Sequence, residues 1–177
     1  MKNIVYIATS IDGYIADKDG GIEWLNIIPN PANNDFGWSN FLSSVDAIVM
    51  GKNTFEMVIS LGVEWPYPNP VFVVSNSMQE IPEGYEEKVE IIKGTPQEIC
   101  SLLNSKGHET LYIDGGSVIQ QFLKADLIDE MIITKIPILI GEGIPLFTKF
   151  NDQLVFELVE TKILLNQLVQ IKYKRKM

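Results

Sequence analysis

Three short apolar runs in this chain each end in a polar, glycine-bearing segment, and those segments hold most of the groups able to do chemistry. Ile4-Val5-Tyr6-Ile7-Ala8 passes into Ser10-Ile11-Asp12-Gly13-Tyr14-Ile15-Ala16. Ile48-Val49-Met50 passes into Gly51-Lys52-Asn53-Thr54-Phe55-Glu56. Leu111-Tyr112-Ile113 passes into Asp114-Gly115-Gly116-Ser117-Val118. A buried strand followed by such a loop puts the loop at the carboxyl edge of a sheet, where ligands of open α/β sheets bind. In the second transition, a helix start offers free N–H groups and the positive end of its dipole to phosphate. Lys52 adds a point charge there and Thr54 a hydroxyl. The competing reading is a helix capped by Asn53 with a solvated lysine. In the third, paired glycines permit close backbone approach, and Ser117 either caps a helix or touches phosphate. Two helix starts at one edge suit a pyrophosphate held from both sides. A further polar strand end, Val73-Val74-Ser75-Asn76-Ser77, suits an adenosine half. It carries no acidic group for a ribose 2′-hydroxyl, which leans toward NADP over NAD.

Asp35 is the candidate acid. It opens the amphipathic segment Asp35-Phe36-Gly37-Trp38-Ser39-Asn40-Phe41-Leu42. A carboxyl at a helix start beside Trp38 is expected in a partly apolar pocket, with its pKa raised; the alternative is a plain helix cap. His108 is the only histidine and Cys100 the only cysteine. No zinc constellation and no Ser–His or Cys–His nucleophile is therefore expected. Hydride transfer suits such a chain, because a cofactor carries the chemistry and the protein binds, orients and supplies a proton. Gly141-Glu142-Gly143 begins a dinucleotide fingerprint but lacks its third glycine.

Positioning these groups requires a sheet. Strand signals fall at Asn3–Thr9, Asp46–Met50, Val71–Ser75, Val89–Ile92, Thr110–Asp114 and Glu130–Ile136, and helix signals at Phe36–Val45, Lys52–Leu61, Pro96–Lys106 and Val118–Lys124. Alternating strands and helices predict a mostly parallel sheet covered on both faces. Val155–Lys162 and Leu168–Tyr173 alternate in polarity around Asn166-Gln167, which predicts an antiparallel hairpin with one face buried and one wet. The 177 residues fit one domain, 1–177, with a core needing no staples. The net charge of −9 and the single arginine, Arg175, argue against nucleic acid as a partner. The longest apolar stretch, Met131–Ile140, is broken by Lys135 and Pro137 and is too short to span a bilayer. With no leader pattern at the amino end and one cysteine, a reducing compartment, the cytoplasm, is expected.

The three transitions, in this order, resemble the dihydrofolate reductase-like fold, and within it the reductase-domain family of riboflavin biosynthesis with its small stand-alone members. Met50-Gly51-Lys52-Asn53-Thr54-Phe55-Glu56 is similar to the family's Met-Gly-basic-x-Thr-aromatic-Glu motif. Asp114-Gly115-Gly116 is similar to its acidic-Gly-Gly turn. Asp129–Thr134 and Gly141–Phe147 complete the pattern. The resemblance implies an α/β, three-layer mixed sheet, mostly parallel with an antiparallel carboxyl-terminal hairpin and helices on both faces. It implies an NADPH-dependent reductase acting on a small heterocycle, resembling 5-amino-6-(5-phosphoribosylamino)uracil reductase. A dihydrofolate or pterin reductase and a non-catalytic NADP-binding module are the alternatives. By the same resemblance Ala8, Ile15, Gly51, Lys52, Asn53, Thr54, Ser75, Asn76, Ser77, Gly115, Gly116, Ser117 and Val118 hold the cofactor. Asp35 is the catalytic acid, Trp38, Phe55 and Thr134 meet the substrate, and a homodimer is implied. One departure bears on substrate: between Asp35 and the hairpin there is no arginine to clamp a carboxylate, and lysine is not a bidentate substitute.

Overall fold

The Val- and Ile-rich runs form the inner strands of one sheet. The computed structural model describes residues 1–150 and 153–176. In chain order it runs β1 (Lys2–Thr9), β2 (Tyr14–Asp17), a 3-10 turn (Glu23–Asn26), α1 (Trp38–Leu42), β3 (Ala47–Gly51), α2 (Lys52–Ser60), β4 (Val71–Val74) and β5 (Val89–Ile92). It continues with α3 (Pro96–Ser105), β6 (Thr110–Asp114), α4 (Gly116–Lys124), β7 (Glu130–Lys135), β8 (Gly143–Pro145), β9 (Phe156–Leu164) and β10 (Leu168–Arg175). The main sheet has the order β5-β4-β3-β6-β1-β7-β10-β9. Its first six strands are parallel and β10 is antiparallel to both neighbours.

Strands buried on both faces read as unbroken apolar runs, and Ala47 to Met50 have no exposure at all. On one face Ile99 and Leu103 of α3 and Ile119 and Phe122 of α4 meet Val5, Val49, Leu111 and Ile113. On the other, Phe41 of α1 and Phe55 and Val58 of α2 meet Ile4, Ile48, Met50 and Val73. This is the three-layer arrangement that the resemblance implies. Each fully buried Leu, Ile or Phe contributes about 1.5–3 kcal/mol.

Several elements differ from the sequence expectation. The helix expected from Phe36 starts only at Trp38, because Phe36 and Gly37 have φ of 57° and 89°. α4 starts at Gly116, two residues early, directly after Gly115. β2 and β8 form a small separate antiparallel sheet that periodicity does not reveal. The hairpin turn is centred on Leu165 and Asn166, both with positive φ, and is closed by Gln167 N–H to the Leu164 carbonyl, 3.0 Å. It thus falls one residue earlier than Asn166-Gln167, in the conformation that matches strand twist. The expectation that the hairpin buries one face fails for β9. Leu158, Val159 and Ile163 are 62%, 52% and 72% exposed.

One irregularity positions the site. β1 pairs with β6 only from Lys2 to Ile4, whereas β7 follows β1 up to Thr9. The centre of the sheet therefore splits at its carboxyl edge.

Candidate functional site

Tyr6, Ile7 and Ala8 lie on a central strand and are nevertheless only half-buried. They floor the split between β1 and β6. The Tyr112 hydroxyl bridges it by donating to the Tyr6 carbonyl, 3.0 Å. Aromatic rings wall one side: Tyr6 stacks on Phe41 at 4.6 Å, and Trp38 lies 5.3 Å from Tyr6 and 5.7 Å from Tyr112. The loop after β1 is fastened across the mouth. Asp12 accepts from the N–H groups of Ile140 and Gly141 at 3.2 and 2.8 Å, and Leu146 N–H donates to the Gly13 carbonyl at 2.9 Å.

The two glycine-bearing helix starts converge beside this cleft. β3 and β6 are neighbours, with Met50 opposite Asp114. A Cβ on Gly115 would overlap Thr54 Oγ1 and come within 3.7 Å of the Gly51 nitrogen. A Cβ on Gly116 would meet Ile15 Cδ1 at 2.7 Å, so Ile15 covers the turn. Neither helix start carries a side-chain cap: the residues ahead of the helices are Gly51 and Gly115, and neither Asn53 nor Ser117 caps. By contrast, α3 is closed by a full Thr95–Glu98 capping box. The first-turn N–H groups of α2 and α4 are thus left to another acceptor. Lys52 stands at the start of α2 in an exposed pair with Glu56, 3.5 Å. Val118 is buried against Gly51, while Ser117 and Asn53 are exposed. At the end of β4, Ser75 Oγ is spent on the N–H groups of Ser77 and Met78, which leaves Asn76 and Ser77 exposed at the same edge. Lys93 follows β5 beside them, as Ser75 N–H donates to the Ile92 carbonyl at 3.1 Å. This set fits a dinucleotide: uncapped N–H groups and Lys52 for phosphates, small polar groups and Lys93 for the adenosine end.

The two acids have environments opposite to expectation. Asp35 is exposed and accepts from the N–H groups of Gly37 (2.9 Å) and Ser39 (3.1 Å). The Gly37 and Ser39 bonds hold its carboxyl below the usual range. The partly apolar pocket and raised pKa expected for it are not found, because the bend at Phe36 and Gly37 turns Asp35 outward. Asp114, read from the sequence only as part of a turn, is the perturbed one. Desolvation at the base of the cleft pushes its carboxyl up to about 6, against the hydrogen bond from the Gly115 N–H. The residue as a whole keeps a partial opening to solvent. Tyr112 has one proton, and it lies on the Tyr6 carbonyl.

Phe55 is fully buried and packs on Trp65 and Tyr85, which makes it core rather than cleft wall. Thr134 sits opposite Ala8 on the cleft floor, where Gln170 Nε2 donates to its Oγ1 at 3.2 Å. Gln170 was not singled out in the sequence. Its signal was a polar residue two positions from Leu168, on the buried side of an alternating strand. Among the described residues Thr9 Oγ1 and Trp24 Nε1 are buried without partners. A separate cavity of about 710 Å³, lined by Trp65, Pro68, Ile81 and Ile91, lies at the amino ends of β4 and β5, away from this edge.

The family described as RibD C-terminal domain matches residues 2–170. The chain belongs to that family. A protein from Shewanella sp. PV-4, assigned provisionally to riboflavin biosynthesis, is 52% identical over the full length of both chains, with a TM-score of 0.97. The uncharacterized protein YwjB of Bacillus subtilis (strain 168) is 35% identical over 176 residues, 98% of each chain. Dihydrofolate reductase from Enterococcus faecalis, solved with NADP(H), shares the fold at 17% identity, with a TM-score of 0.66 and coverage of 99% and 97%. Among the described residues no helix is long and apolar enough to cross a membrane.

Proposed function

We propose that the chain is an NADPH-dependent oxidoreductase that passes hydride to a small heterocycle, in the manner of 5-amino-6-(5-phosphoribosylamino)uracil reductase. The observation that carries this reading is the pair of uncapped helix starts meeting at Gly51 and Gly115, beside a cleft opened in the middle of the sheet. NADPH supplies the hydride when bound. The α2 and α4 starts take its pyrophosphate with Lys52, Asn53, Thr54, Gly116, Ser117 and Val118 around it. Ser75, Asn76 and Ser77 meet the adenosine, Lys93 meets the 2′-phosphate, and Ala8 and Ile15 flank the nicotinamide. Asp114, with a carboxyl near 6, holds the proton that a reduced ring atom needs. Asp35 stays ionised at the mouth and pairs with donor groups of the substrate, over Trp38 and Thr134. The lone cysteine and the absence of a basic stripe fit a cytoplasmic small-molecule enzyme.

The test is titration with NADPH and NADH, followed by tryptophan fluorescence. Wild type is expected to prefer NADPH. Lys93→Ala should weaken NADPH about tenfold or more and leave NADH nearly unchanged, as for one charge-assisted contact. Lys52→Ala should weaken both by similar factors. A response to neither nucleotide sinks the reading. Asp35→Asn should raise KM for the heterocycle about tenfold and leave NADPH affinity intact; unchanged kinetics would remove Asp35 from the site.

We further propose a homodimer through β9. Facing residues of an antiparallel pair point their N–H and C=O groups either both toward or both away from each other, so a strand pairs with its own copy only about a residue. Centred on Thr161, Glu160 lies opposite the partner's Lys162 on both sides of the axis. Lys162→Glu should give a monomer by sedimentation, and Glu160→Lys/Lys162→Glu should restore the dimer. A monomeric wild type ends the proposal.

A further inference from the structure

The buried carboxamide of Gln170 has only one group left to offer. Gln170 is 7% exposed and sits on β10 opposite Thr134, which is in turn opposite Ala8, so the three form one row across the cleft floor. Its Nε2 lies 3.2 Å from Tyr6 Oη and 3.2 Å from Thr134 Oγ1. The orientation of this amide follows from hydrogen counting. The single phenolic proton of Tyr6 goes to the Phe36 carbonyl, 3.0 Å away, and a carbonyl can only accept. Toward Gln170 the Tyr6 oxygen is therefore an acceptor, and the group facing it must be the amide nitrogen. Both amide protons are then committed. Among the described residues no donor reaches Oε1, and that oxygen is not among the side-chain atoms sealed from solvent. Burial raises the Tyr6 pKa, and the charge of Asp35 adds to it.

We propose that Gln170 is the specificity-determining residue for the reducible ring, with Oε1 accepting an N–H of the heterocycle. This rests on the reductase reading above and names its substrate class: a planar ring carrying a ring N–H, such as a pyrimidinone or pterin lactam. The Tyr6 and Thr134 hydroxyls hold the amide so that it cannot rotate to offer a donor. A ring with oxygen or N-methyl at that position meets a bare acceptor and leaves it unpaired, which a site built for a hydrogen bond penalises strongly.

The probes are 5,6-diaminouracil and its 1,3-dimethyl derivative, titrated by calorimetry into protein saturated with NADP⁺. Wild type is expected to bind the unmethylated probe at least tenfold more tightly. Gln170→Met keeps the length of the side chain and removes the acceptor; it should bind NADPH as wild type does and lose most of that preference. A preference that survives in Gln170→Met would be steric and overturns the proposal, as does equal or undetectable binding of the two probes by wild type. If Gln170→Met fails to fold, the same question passes to Gln170→Leu, which also removes the acceptor and should also lose the preference. Failure of wild type to bind NADPH at all refutes the reductase reading instead.

Discussion

Replacing Asp114 with Asn is expected to stabilise the fold at neutral pH relative to acid pH, and to slow reduction at least 100-fold. The folded carboxyl titrates near 6 against an ordinary value of 3.8, chiefly because it is desolvated. Below 3.8 both folded and unfolded chains hold the proton, and the group contributes fully to stability. Between 3.8 and 6 the unfolded chain releases it and the folded chain does not, so stability falls as pH rises through the folded value. Two units correspond to about 3 kcal/mol. The partial opening to solvent reduces this to about 1–3 kcal/mol. Asn cannot ionise, and its Oδ1 still accepts from the Gly115 N–H. Denaturant unfolding at pH 4 and pH 7.5 should show the variant gaining that amount over wild type between the two. Turnover, read as loss of NADPH absorbance, should fall because a positioned general acid is worth about 10²–10⁴ in rate. Wild-type rates should decline above pH 6 and the variant's should be flat. A stability difference that does not change with pH means that Asp114 is not perturbed. A rate that does not change means that the proton comes from elsewhere.

This pairing of lower stability with function explains why the acid was not legible in the chain. Thr110-Leu111-Tyr112-Ile113-Asp114 reads locally as a strand with a polar end. The Asp114 environment is made by Tyr67 and Tyr112 and by the split from β1, none of which is a local property. Asp35 failed in the opposite sense. Its neighbours Trp38 and Phe41 promise an apolar pocket, and those rings do line the cleft. The positive φ at Phe36 and Gly37 turns the carboxylate out of it, and no periodicity encodes that bend. What was legible depended on patterns that one strand imposes by itself. Ala47 to Met50 and Leu111 to Ile113 are buried on both faces and read as continuous apolar runs. The glycines closing them mark both helix starts. β2 and β8 have four and three residues and pair as strands only with each other. They are too short for a period to register, although Gly143 is required there because a Cβ would overlap the Ala16 carbonyl.

Gly115→Ala is the substitution with the largest expected effect on cofactor binding. Two costs combine at this position. The backbone has φ of +81°, which an L side chain rarely adopts, and the new Cβ overlaps Thr54 Oγ1 and lies 3.2 Å from Thr54 Cβ. Together they should remove about 2–4 kcal/mol of stability, and relief of the overlap is expected to push the α2 and α4 starts apart. NADPH affinity should fall at least 100-fold, as both sets of N–H groups lose their alignment on the pyrophosphate. Two comparisons separate the terms. Gly107→Ala carries nearly the same backbone strain, with φ of +92° and nothing within 4 Å of its Cβ. It should cost only the conformational share, about 1 kcal/mol, and leave NADPH binding unchanged. Gly115→Ala/Thr54→Ala removes the overlapping hydroxyl and should regain the steric share of stability. NADPH affinity should return only in part, to the level of Thr54→Ala alone, since the double variant also lacks the Thr54 hydroxyl. Should Gly115→Ala bind NADPH as tightly as wild type, the pyrophosphate cannot lie between these helices, whatever the variant does to stability.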